Sequence, residues 1–113
     1  MVFDNHVILT GRVVRVPFRH VRPDGSLAIQ FSLEVNQGDE DLPEKGVRDS
    51  KKSRIDIVAL GPVAATEPAL FQCGQYLRVE GRLRQRRWQT PEGRERSCVE
   101  VVATGLRRAE EIK

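Results

Sequence analysis

The stretch Ile29-Gln30-Phe31-Ser32-Leu33-Glu34-Val35-Asn36 decides the fold class. Its apolar residues Ile29, Phe31, Leu33 and Val35 alternate one for one with Gln30, Ser32, Glu34 and Asn36. Successive side chains of a strand point to opposite faces, so a period of two predicts a strand with one face in a core and the other in solvent. Phe31 and Leu33, in the middle of the apolar face, are expected in that core. Upstream, Pro23-Asp24-Gly25-Ser26 is a turn: proline fixes φ and glycine supplies φ > 0. Before it, residues 7–16 read as a first strand. Gly11 and the shift of alternation at Val13-Val14 suggest a bulge there, and Pro17 interrupts the run.

Downstream, residues 38–53 lose all periodicity and read as a long mobile loop, acidic first and basic later. Residues 54–60, Arg-Ile-Asp-Ile-Val-Ala-Leu, form a third strand. Gly61-Pro62 opens a short helix over 63–71, with Pro62 suited to the first turn, Pro68 limiting its length and Cys73-Gly74 ending it. A fourth strand runs from Tyr76 to Trp88. Thr90-Pro91-Glu92-Gly93 turns the chain, and Arg94 to Thr104 returns as a fifth strand. A short polar tail, 105–113, follows. The expected fold is therefore all-β: a five-stranded OB-fold Greek-key barrel with one short helix between strands 3 and 4. It fills one domain, 1–113, with its core over about 5–104.

Composition excludes much. The chain has 113 residues and a net charge of +3, and no apolar run approaches the ~18 residues of a membrane span. Met1-Val-Phe-Asp-Asn-His6 has neither a basic nor an apolar signal region, so a cytoplasmic location is expected. Two cysteines, Cys73 and Cys98, and two histidines, His6 and His20, have no ligand spacing, so neither metal nor cofactor is expected. No Walker loop, dinucleotide fingerprint, nucleophile elbow or HExxH is present, which argues against an enzyme. Glu80 and Glu100 lie in strands among basic residues and read as cross-strand ion-pair partners.

Charge is concentrated instead. Residues 82–96 hold six Arg and two Glu, a local net of +4 that exceeds the charge of the whole chain. Alternation puts Arg82, Arg84, Arg86 and Trp88 on one face. Guanidinium groups beside an indole suit a phosphate track with a base-stacking platform. The alternative is a solvated arm whose tryptophan packs on its own strands. Arg87, Arg94 and Arg96 complete the hairpin. Arg12, Arg15 and Arg19 add cations near Phe18, either as a binding surface or as a charged edge that discourages strand pairing. Lys51, Lys52 and Arg54 form a third basic cluster, which the acids at 39–41 neutralise in the blander reading.

At this point the residues resemble a family. Val7-Ile-Leu-Thr-Gly11, Pro23-Asp-Gly25, Phe31-Ser-Leu-Glu34, Ile57-Val-Ala-Leu-Gly61 and Gln75-Tyr-Leu-Arg-Val-Glu-Gly-Arg-Leu-Arg84 are similar to bacterial single-stranded DNA-binding proteins. Arg86-Arg-Trp88, Gly93 and Val99-Glu-Val101 continue the match. Val14-Arg-Val-Pro-Phe-Arg19 and the short length look more like the tailless primosomal replication protein N type. The resemblance implies an OB barrel, sequence-independent binding of single-stranded DNA, and a homo-oligomer, a dimer being favoured over a tetramer. Trp88 matches a base-stacking tryptophan, and Arg84 and Arg86 match basic residues of the DNA track. Two further stacking tryptophans of the replicative protein would fall near Asp39 and Arg54, and a stacking phenylalanine at Leu60. Electrostatic binding by the hairpin therefore fits better than tight generic coating. The ending Glu110-Glu-Ile-Lys113 carries no acidic, phenylalanine-terminated tip of the kind that recruits partners.

The expected role is an accessory single-stranded DNA-binding protein of replication or replication restart. A restart helicase or primosomal proteins are its expected partners. The alternatives are an OB module that binds only protein, or a tailless replicative paralogue.

Overall fold

A computed structural model of the protein describes residues 2–36, 52–65 and 71–109. Six strands form: β1 (Val7–Val13), β2 (Phe18–Val21), β3 (Leu27–Asn36), β4 (Lys52–Leu60), β5 (Tyr76–Gln89) and β6 (Glu95–Arg108). Their order across the sheet is β1-β5-β6-β4-β3-β2, and β1 also pairs with β3. That extra pairing closes β1, β5, β6, β4 and β3 into the expected five-stranded barrel. All neighbours are antiparallel except β4 and β6, which meet in parallel through Ile57↔Val101, Val58↔Val102 and Ala59↔Ala103.

The expected strand over 7–16 stops short, and a further strand that the sequence reading did not include, β2, follows it. β1 ends at Val13, opposite Leu33, and β2 resumes with Phe18, opposite Gln30. Four residues, 14–17, thus face only Phe31 and Ser32, and the surplus arches away from the sheet. Pro17 has no N–H to give a ladder, which fixes the break on its side. β2 and β3 are joined through the expected turn. There Gly25 has φ 87°, and the Ser26 hydroxyl and amide both donate to Asp24 Oδ1, at 2.6 and 2.9 Å. These bonds, the hydroxyl's above all, hold the Asp24 carboxyl below the usual carboxylate range.

β3 keeps the alternation read from its sequence. Ile29, Phe31, Leu33 and Val35 are buried, and they join Val13, Ile57, Leu77, Val79, Val101 and Ala103 in one core. Phe71 plugs one end of the barrel, edge-on to Phe31 with ring centroids 5.9 Å apart. The following residues fasten to β1: Val13 N donates to Gln75 O at 2.9 Å, and Gly74 N to Val13 O at 2.7 Å.

The short helix expected over 63–71 does not appear among the described residues. Residues 61–65 form turns in which Ala65 N donates to Gly61 O at 3.1 Å and to Pro62 O at 3.2 Å, while 66–70 lie outside the described residues. The expected long loop also lies outside them, except that Lys52 and Ser53 already belong to β4. At the other end β6 runs past Thr104 to Arg108, because Leu77 and Arg78 of β5 still offer partners to Arg108 and Arg107. Among the described residues, no helix is long and apolar enough to cross a membrane.

Because Phe31 contributes to both the barrel wall and the plug, Phe31→Ala should lower unfolding free energy by ~3–5 kcal/mol through lost burial and the cavity left behind. Denaturant melts measure this, and a loss below about 1 kcal/mol would contradict the packing.

Candidate functional site

The outer half of the β5–β6 hairpin carries the candidate site. Beyond Gly81, every β5 residue from 82 to 89 is exposed. Ladder pairs continue regularly from Arg82↔Val102 to Gln89↔Glu95, so the arm is a well-formed ribbon. Its turn is closed by Thr90 N donating to Arg94 O at 2.9 Å, by Arg94 N donating to Thr90 Oγ1 at 3.1 Å, and by Gly93 with φ 85°.

Cross-strand partners share a face, so Arg84, Arg86 and Trp88 stand with Glu100, Cys98 and Arg96. Arg84 Nε and Nη2 both donate to Glu100 Oε2, at 3.1 and 2.5 Å. Arg86 Nε lies 3.6 Å from the other carboxylate oxygen. The Arg86 guanidinium carbon is also 4.9 Å from the Trp88 ring centroid, a cation–π arrangement. Glu100 is only 4% exposed, whereas the Arg84 and Arg86 side chains keep 41% and 47%. One buried carboxylate thus orients two solvent-facing guanidinium groups, leaving the trio a net positive charge beside a half-exposed indole. The expectation that Glu100 is a cross-strand ion-pair partner holds. Glu80 departs from it: its contacts are with His6, just before β1, at 2.7 Å and with Arg78 of its own strand at 3.8 Å.

The other expected site residues divide. Arg96 stands opposite Trp88, and Arg94 follows the turn. Arg87 occupies the reverse face of the ribbon, bonded to Gln85 Oε1 at 3.0 Å. Arg12 and Lys52 converge on Glu34, at 3.4 and 3.9 Å, and Arg54 is the ladder partner of that glutamate. This second basic group is therefore partly neutralised. Arg15, on the arch over 14–17, approaches Arg86 across a pocket of about 290 Å³ that both help to line. Arg19 points the other way: it pairs in register with buried Ile29, and its guanidinium lies 5.9 Å from the Phe71 ring. Its place is over the barrel plug, apart from the hairpin. Lys51 lies outside the described residues.

The residues the sequence did not single out are the pocket floor, Gln30, Ser32 and Asp56, beside Glu100. Gln30 and Ser32 were visible as the outward half of the β3 alternation. Asp56 joins them only through the Ser32↔Asp56 register. No group of three His, Cys, Asp or Glu among the described residues is placed to hold a metal ion.

Comparison with known proteins agrees with this architecture. A model described as the single-strand binding protein family matches residues 4–109. The chain is 34% identical over 109 residues to the single-stranded DNA-binding protein of Thermotoga maritima, covering 95% of this chain and 74% of that one. The Aquifex aeolicus single-stranded DNA-binding protein is 29% identical over 103 residues, covering 91% and 68%. That of Treponema pallidum is 33% identical over 106 residues, covering 90% of this chain and 56% of its own.

The two arginine environments should separate in stability measurements. Arg84→Ala leaves a buried carboxylate short of its main partner and should cost about 1–3 kcal/mol. Arg87→Ala, on an exposed face, should change stability by less than about 0.5 kcal/mol. Equal, negligible effects in denaturant melts would mean that the Glu100 pairing does not orient the arm.

Proposed function

Because the chain belongs to the single-strand binding protein family, a family of binding proteins and not of enzymes, we propose that it binds single-stranded DNA through the β5–β6 arm, without regard to overall sequence. The observation that carries this reading is the Glu100-ordered pair of arginines with Arg86 stacked on Trp88. A single strand offers phosphates and bases in alternation. The guanidinium groups suit the first, and the indole, 42% exposed, suits the second. Pre-ordering by Glu100 lowers the entropy lost when the arginines meet phosphate. Arg15, Arg94 and Arg96 extend the basic track, and the cluster around Glu34 contributes less because its charge is shared with a carboxylate.

We assign the protein an accessory role in DNA replication or replication restart, in the cytoplasm, with primosomal proteins or a restart helicase as partners. The support for this finer role is the sequence resemblance over 14–19 and 31–34 and the non-aromatic residues Arg54 and Leu60 at stacking positions. A homodimer accompanies it. The exposed Val2, Phe3 and Ile8 are apolar surface that a two-fold contact would cover.

Titration with oligo-dT at several salt concentrations tests the binding. Each phosphate contact adds about −0.7 to the slope of log K against log salt. Replacing Arg15, Arg86 and Arg96 together with Ala should weaken binding strongly and flatten the slope by up to about 2 units. Trp88→Ala should lose roughly 1–3 kcal/mol of affinity with little change of slope. Fluorescence of Trp88, the single tryptophan, should quench on binding. A triple-arginine variant with the parent's affinity and slope would leave the arm a solvated ribbon and favour an OB module that binds only protein.

The assembly has its own check. Light scattering at micromolar concentration should give twice the 12.8 kDa chain mass; a monomer mass would overturn the dimer.

A further inference from the structure

The pocket between the arch and the arm has a charge pattern that a phosphate track does not require. Its rim carries Arg15 on one side and Arg86 on the other. Its floor, built from the outward positions of three adjacent strands, is rich in acceptors: Gln30 and Ser32 of β3, Asp56 of β4 and Glu100 of β6. Phe18 of β2 supplies an aromatic wall. At about 290 Å³, the pocket sits near the lower end of the roughly 300–1,000 Å³ typical of small-molecule sites, so it suits a single ring system and not a length of backbone.

Charge decides which part of a nucleotide enters. The two floor carboxylates repel a phosphate, which stays with the arginines of the rim. The base is neutral and can descend. Its edge then meets acceptors, and these differ in availability. Both oxygens of Glu100 already face Arg84 and Arg86. Asp56 is exposed and has no ion pair or side-chain hydrogen bond among the described residues. Its carboxylate accepts from a base amino group, as carboxylates do from cytosine N4. Thymine and uracil turn carbonyl oxygens toward the same position, which places two acceptors against each other.

We propose that this pocket receives one nucleobase edge-first and that Asp56 makes it select an amino-bearing base, cytosine over thymine. The proposal rests on the single-stranded DNA reading above and adds a base preference at one position of an otherwise sequence-independent track. Phosphate contacts fix the strand's position and base-edge contacts supply the choice. The preference belongs to this chain's own residues: Asp56 faces outward only because the β4 register sets it beside Ser32.

The test uses the full chain and three homopolymers of equal length, oligo-dC, oligo-dT and oligo-dU, in mildly alkaline buffer where cytosine is unprotonated. Oligo-dC should bind about tenfold tighter than either of the others, the size of one good base-edge contact. Oligo-dU separates selection for an amino group from exclusion of the thymine methyl. In Asp56→Asn the amide can donate as well as accept, so dT and dU should gain, dC should lose, and the ratio should fall toward one. Equal affinity of the parent chain for dC and dT overturns the proposal, as does a dC preference that survives Asp56→Asn. In either case salt-dependent binding of dT leaves the single-stranded DNA reading standing. Failure to bind any homopolymer overturns that reading, and the base preference with it.

Discussion

Closing a sheet of five strands requires one strand to serve neighbours on both of its edges where the ends meet, and β1 does so at Gly11. That residue is paired with Leu77 of β5 on one side and Val35 of β3 on the other. Arg12 is likewise paired on both sides, but a Cβ built at position 11 would overlap the Glu34 carbonyl oxygen, so only glycine fits where the crossing begins. The same solution recurs where β5 bends. The ladder slips between Glu80 and Gly81, a Cβ on Gly81 would overlap the Val102 carbonyl oxygen, and Thr104, passed over by the slip, donates its hydroxyl to Glu80 O at 3.1 Å. With these two bends the barrel closes on its aliphatic core. The parallel contact of β4 with β6 then places Asp56, Glu100 and the arm on one continuous outer face.

Glu100 links that frame to the chemistry. A carboxylate with so little exposure persists only when its oxygens are satisfied, and two arginines from the facing strand satisfy them. The arginines therefore present fixed donors to solvent, in contrast to long cations that sample many rotamers. Arg12 and Lys52 around Glu34 follow the same pattern with longer contacts, 3.4 and 3.9 Å. The face is accordingly graded: strongest where guanidinium groups outnumber a buried acid beside an indole, weaker where they share a half-buried one.

What was legible in the sequence followed physical locality. The β3 alternation was readable because one of its faces is wholly buried, and the arm because its charge and its turn lie within a single run. Glu100 as an ion-pair partner was readable from its surroundings in the strand. The early end of β1 was legible only as a disturbance at Val13-Val14 and Pro17, and β2 not at all, since the two surplus residues become countable only against Phe31 and Ser32. The face taken by Arg19 was hidden because it depends on Phe71, far along the chain, plugging the barrel. The pocket floor was hidden for a similar reason: Ser32, Asp56 and Glu100 become neighbours through one antiparallel and one parallel register, and neither is written locally. A proline at a first-turn position suggested a helix after Gly61, but the described part of that segment stops at a turn.

The outer ribbon, like β2, has a neighbour on a single edge only. Asn5 bonds to both the N–H and the C=O of Leu83, and past that point β5 meets only β6. A two-stranded ribbon is marginal alone, so its amides should open and exchange with solvent at far lower cost than those of the barrel. Folding and the phosphate contact proposed for the arm thus fall to different cooperative units. The ribbon can fray, re-close or accumulate substitutions while Ile29, Leu33 and Val101 remain packed, which leaves its surface free to vary over an unchanged core.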